Sequence, residues 1–162
     1  MKRGLVLGLI SVLALVPLAW GQEQTVVVNA EIGAKLIFSI VDGAEIVLKV
    51  DPLDQPYAEG WTNFQVKTNA PYYNVVAYFG SFAIGDYDLI EHGNFKIWSK
   101  TEGDGAVITD PVVPAREQEI LTGETGYTNG ETFGVGYALT VDFTVPAGEA
   151  ETTVVFVASM SL

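Results

Sequence analysis

Apolar and polar residues alternate along most of this chain at a spacing of two, the repeat of a strand with one face buried. The clearest case is 134–145. Val135, Tyr137, Leu139, Val141, Phe143 and Val145 point one way, and Gly134, Gly136, Ala138, Thr140, Asp142 and Thr144 the other. Residues 24–32 align Val26, Val28, Ala30 and Ile32, and 62–68 set Phe64 and Val66 against Asn63, Gln65 and Lys67. Residues 35–41 (KLIFSIV) are almost wholly apolar, as in a strand covered on both faces. Asp42-Gly43 is a tight-turn pair, and 44–50 follow with Ile46, Leu48 and Val50 in phase. The two segments are therefore expected to form a hairpin. Further strands are expected at 72–79, 94–99, 118–122 and 151–161, with a long loop over 100–117 that holds a short strand at 106–109. Pro146-Ala147-Gly148 marks a turn before the last strand.

No segment beyond residue 21 has a helical period. Eight to ten strands with short connections imply antiparallel pairing. The fold class read from this pattern is all-β, an antiparallel two-sheet sandwich of immunoglobulin-like or jelly-roll type.

The first 21 residues break the pattern. Met1-Lys2-Arg3 is a basic start, Leu5 to Trp20 is an uncharged apolar run, and Ala19-Trp20-Gly21 places small residues where a signal peptidase cuts. Residues 1–21 read as a secretory signal peptide and 22–162 as a single β-sandwich domain. No stable membrane span is expected after cleavage, because Pro17 interrupts a run already short for a bilayer. The expected location is outside the cytoplasm: secreted, at the cell surface or in the periplasm. The chain has no cysteine, so its stability must come from core and sheet pairing. Lys2 and Arg3 leave with the signal. The remainder then carries 20 acids against 6 bases, a formal −14. Such a surface repels phosphate backbones, which argues against nucleic-acid partners.

Catalytic chemistry finds little to work with. His92 is the sole histidine and sits in a Gly-flanked stretch, Glu91-His92-Gly93-Asn94, as an exposed turn residue. No nucleophile motif accompanies it. Asp86, Asp88, Glu91 and Asp142 are the carboxylates considered for paired acid–base work. No catalytic residue is assigned, and the chain is read as non-enzymatic without a cofactor. Asp86 and Asp88, two carboxylates on one side of an extended loop, are the calcium candidates, and Glu102-Gly103-Asp104 repeats their spacing. Trp61, Tyr72, Tyr73, Tyr87 and Trp98 are candidates for an aromatic platform under a sugar ring. Trp61 and Trp98 are the two singled out.

A further pattern runs across most of the chain. A Val-rich segment, Thr25-Val26-Val27-Val28-Asn29-Ala30, directly follows the signal. Val66-Lys67-Thr68-Asn69-Ala70-Pro71-Tyr72 lies at the centre. Tyr137 to Phe143, Pro146-Ala147-Gly148 and Thr152-Thr153-Val154-Val155-Phe156 close it. This order resembles secreted β-sandwich surface proteins of the fimbrial, spore-coat-U-like and WxL-like kinds. The resemblance implies a structural or adhesive subunit that exchanges strands with itself or with neighbouring subunits. Residues 22–32 would then be the donor, with Val26, Val28 and Ala30 as its inserted side chains. The alternatives are that 24–32 completes its own sandwich, or that the domain is a carbohydrate-binding module with a glycan partner.

Overall fold

The computed structural model describes residues 30–101, 108–123 and 128–161. The signal segment, Val26 and Val28, most of the expected first strand, and Glu102-Gly103-Asp104 lie outside the described residues. Ala30 is described; it is exposed and belongs to no strand.

Nine strands and no helix are found among the described residues. In chain order they are β1 (Leu36–Asp42), β2 (Tyr57–Thr68), β3 (Tyr72–Phe79), β4 (Ala83–Ile84), β5 (Tyr87–Asp88), β6 (Phe95–Thr101), β7 (Glu117–Gly123), β8 (Thr128–Thr140) and β9 (Val154–Ser161). They form a four-stranded sheet ordered β1-β2-β8-β6, a three-stranded sheet ordered β7-β3-β9, and a β4–β5 hairpin. All pairings are antiparallel. The two larger sheets face each other as an all-β sandwich, the fold class expected from the alternation.

The alternating residues fill the space between the sheets. Phe64 and Val66 of β2 and Val135, Tyr137 and Leu139 of β8 meet Tyr73, Val75, Ala77 and Phe79 of β3. Phe64 is fully buried and its ring lies 5.2–5.8 Å from those of Phe38, Phe133 and Phe156. Tyr137 buries its hydroxyl by donating to Thr62 Oγ1 at 3.1 Å. Burial pushes that phenol up to about 12, with the Thr62 bond acting weakly in the other direction.

Four expectations need correction. The 35–41 strand is not covered on both faces: β1 is a sheet edge with only β2 beside it, and Ile37, Ile40 and Val41 on it are 55%, 46% and 56% exposed. The hairpin of 35–41 with 44–50 does not form. β1 pairs with β2 instead, from Leu36↔Thr68 to Asp42↔Asn63. Gly43 does take the left-handed conformation (φ +70°), and a Cβ there would collide with the Trp61 carbonyl. The result is a kink rather than a reversal. Thr62 Oγ1 donates to the Gly43 carbonyl at 2.7 Å and fixes it. The chain then continues down the same side, with Ile46 and Leu48 beneath Gly60. Residues 44–50 keep the strand alternation, turning Ile46, Leu48 and Val50 to the core, without entering a ladder. The alternation was a burial signal, not a pairing signal.

The strand expected at 134–145 begins earlier, at Thr128, and stops at Thr140. Val141 is buried as expected, but Phe143 is 79% exposed. Asp142 ends the strand by accepting from the Thr144 amide at 2.8 Å, which bends the chain. From residue 108 onward, the loop expected over 100–117 also lies against a strand. Residues 108–112 lie along β6 through Ser99 N→Ile108 O at 2.8 Å and paired Ile97–Val112 bonds of 2.8 and 2.9 Å.

Candidate functional site

Sheet edges, outer faces and loops are where this fold can meet a partner. The four sheet edges differ in how they are closed. The β6 edge is covered by 108–112. The β7 edge carries Glu117 and Glu119 and a register shift against β3 at Val75/Val76. The β1 edge follows Lys35 and shifts register at Ile40/Asp42. β9 has none of these devices. Its sequence, VVFVASMS, contains no charge and no proline. Its register with β3 is continuous from Phe79↔Val154 to Tyr72↔Ser161. Among the described residues no second strand pairs with it. Long, regular, uncharged edges accept further strands, which is why most proteins blunt them.

β9 also borders a seam in the core. Its Phe156 ring is 6.3 Å from Phe38 of β1, so the β1 and β9 edges lie on the same side of the sandwich. Leu36, Phe38, Val154, Phe156 and Ala158 face the core here yet are only partly buried. On the outer face beside them, Val155 is 51% and Val157 45% exposed.

The chain enters this domain under control. The Asn69 side chain accepts from Lys35 N at 2.6 Å and donates to Gly33 O at 3.0 Å. Thr68 Oγ1 donates to Lys35 O at 2.8 Å. Together they hold Gly33–Lys35 in line with β1, at the Thr68 end of the sandwich.

Trp61 and Trp98 meet on the outer face of the four-stranded sheet. Gly136 of β8 pairs with Trp61 on one side and Trp98 on the other. The two indoles close over it, 5.0 Å between centroids and 89° between planes. A Cβ on Gly136 would lie 2.6 Å from Trp98 Cζ2 and 2.9 Å from Trp61 Cη2, so the glycine is what admits both rings. Lys100 Nζ stands 6.0 Å from the Trp61 ring. The tyrosines do not join this surface. Tyr72 is on the other sheet, Tyr73 is buried, and Tyr87 stacks on His92 at 3.9 Å.

The carboxylates proposed for calcium are not equivalent. Asp86 is exposed on the β4–β5 turn, whereas Asp88 is buried and engaged. Asp88 accepts from the amides of Ile90 (2.8 Å) and Glu91 (3.2 Å) and from Arg116 Nη2 (2.8 Å). Burial works against its charge, but the Arg116 bond and the two amides outweigh it and hold the carboxyl below its ordinary value. Arg116 Nη1 donates to Gly80 O at 2.5 Å, so Asp88 ties the 89–93 turn to the entry of β7. No group of three or more His, Asp or Glu side chains that could share a metal is found among the described residues. Asp142 turns its carboxylate onto Thr144, and His92 Nδ1 lies 2.9 Å from Asp88 O.

The sequence singled out Trp61 and Trp98 as candidates, which the strand register brings into contact, but not the bare β9 edge. The absence of any charge from 152 to 162 was the available signal. No protein-family model matches the chain, and no curated protein matches its sequence.

Proposed function

We propose that this is an exported, non-enzymatic β-sandwich subunit that assembles at a cell surface by adding a strand to the β9 edge. The observation that carries the reading is that edge: eight residues long, uncharged, free of register shifts, and bordered by half-buried core residues. The candidate occupant is the segment 24–32 of another copy. Its alternating Val26, Val28 and Ala30 suit the inward face of a strand beside Phe156. The chain from Gln22 onward, examined by light scattering and negative-stain microscopy, should form elongated oligomers. Val157→Lys puts a charge on the outer face of β9 and should leave a folded monomer. Assembly unchanged in Val157→Lys and in a chain lacking 22–32 would refute the reading.

A second reading is favoured by the indole pair. Trp61 and Trp98, partly exposed on one sheet face beside Lys100, offer an apolar surface with a polar neighbour to a sugar ring. A saturable change in tryptophan fluorescence on titration with glycans, lost in Trp61→Ala, would support it. No change across a glycan panel would remove it.

A further inference from the structure

The two ends of the sandwich differ in a way that matters for assembly. At the Tyr57 end of β2, the 51–55 turn is built around Asp51. Its carboxylate accepts from the amides of Leu53 (2.8 Å) and Asp54 (3.0 Å), and the Asp51 and Gln55 backbones bond twice, at 2.8 and 3.0 Å. This fixed turn presents Leu53 at 76% exposure between two aspartates. The Asp142 turn presents Phe143 at the same end, tied to it by Val141 N→Pro56 O at 2.9 Å. Asp51, Asp54 and Asp142 outnumber Lys49 here. A large apolar side chain held rigidly in water loses little freedom on docking.

At the opposite end lies a shallow, open hollow of about 370 Å³, lined by Lys35, Ile37, Lys67, Asn69 and Thr128 among others. Ile37 is 55% exposed at its wall. Lys35 and Lys67 are two of only six bases beyond residue 21, and Lys67 pairs across the strands with the uncharged Asn129. On a chain with 20 acids most self-contacts are repulsive. An acidic turn can approach a second copy without that penalty only near such a basic spot.

We infer that the 51–55 turn of one copy seats in the Lys35–Ile37–Lys67 hollow of the next, with Leu53 against Ile37 and the aspartates against the lysines. The contact is heterologous, so repetition builds an open head-to-tail filament. It rests on the assembly reading above and adds to it. Stacking in this sense brings the entry segment Gly33–Lys35 of one copy to the end of its neighbour where β9 starts. A strand preceding Gly33 would then run antiparallel to β9, the sense of every pairing among the described strands.

The test uses charge reversal and rescue in the chain from Gln22 onward. Asp54 serves its turn through its backbone amide, and Lys67 is exposed, so neither change should unfold the domain. Asp54→Lys alone and Lys67→Glu alone should each raise the concentration for half-assembly about tenfold or more, read by sedimentation velocity. The double variant should restore it, and added salt should weaken wild-type assembly. Single variants that assemble like wild type, or a double variant no better than the singles, overturn the inference. If Val157→Lys abolishes assembly while the end variants do not, strand addition stands and the end contact falls. If the wild type remains monomeric throughout, both fall.

Discussion

Gly136→Ala puts the packing of the outer sheet face to a quantitative test. In a strand, replacing glycine by alanine is ordinarily favourable by about 0.5–1 kcal/mol, because the unfolded chain loses freedom. Here the added methyl would sit 2.6 Å from Trp98 Cζ2 and 2.9 Å from Trp61 Cη2, well inside contact distance. Both neighbours are rigid ring atoms rather than the ends of flexible side chains. The rings also brace each other edge-to-face, so neither can yield without disturbing the other. Overpacking of this kind costs about 1–3 kcal/mol, and an aromatic pair contributes about 0.5–1.5 kcal/mol beyond its area. The net expectation is a loss of about 1–3 kcal/mol. For a domain of this size that lowers Tm by roughly 3–10 °C. Urea unfolding followed by intrinsic fluorescence gives the free energy, and near-UV circular dichroism reports the indole pair directly. A variant as stable as wild type or more so, with an unchanged near-UV spectrum, would show that the rings do not close over Gly136.

Other consequences follow from the core and the Asp88 corner. Phe64→Ala should cost about 3–5 kcal/mol, since the ring is fully buried and central to the aromatic cluster; a loss under 1 kcal/mol in denaturant titration would contradict that placement. Asp88→Ala should cost about 2 kcal/mol, mostly from the two turn amides it leaves unbonded, and Arg116→Leu less, because Arg116 is 47% exposed and its ion pair is screened. The Asp88 carboxyl is held below its unfolded value, so its stabilisation is present in full above about pH 4 and is lost as pH falls through the folded value. Stability measured from pH 7 to pH 2 should therefore fall less steeply in Asp88→Asn than in wild type; parallel curves would refute the assignment. Tyr137 should resist ionisation until about pH 12, so absorbance titration should show a late phenol that coincides with unfolding.

The inward residues were legible because period-two alternation reports burial directly. Val135, Tyr137, Leu139 and Val141 all lie in the core as their spacing implied. Pairing was less legible. Ile46, Leu48 and Val50 alternate as a strand would, yet Gly43 and Thr62 turn that segment across the core beneath Gly60 instead of into a ladder. Phe143 continued the rhythm past the point where Asp142 stops the strand, since an Asx turn needs only one side-chain bond to override a pattern. Trp61 and Trp98 are far apart in sequence, and only the register of β2, β8 and β6 reveals that Gly136 brings them together. Asp88 read as half of an acidic pair because its partner, Arg116, is distant in the chain.

Hydrogen exchange of the β9 amides, compared between dilute monomer and assembled protein, addresses the open edge most directly. In the monomer, alternate amides from Val154 to Ser161 should be protected by β3 and the intervening ones should exchange rapidly. On assembly the intervening amides should become protected as well. Full protection of β9 in the monomer, or no change on assembly, would contradict strand addition at this edge.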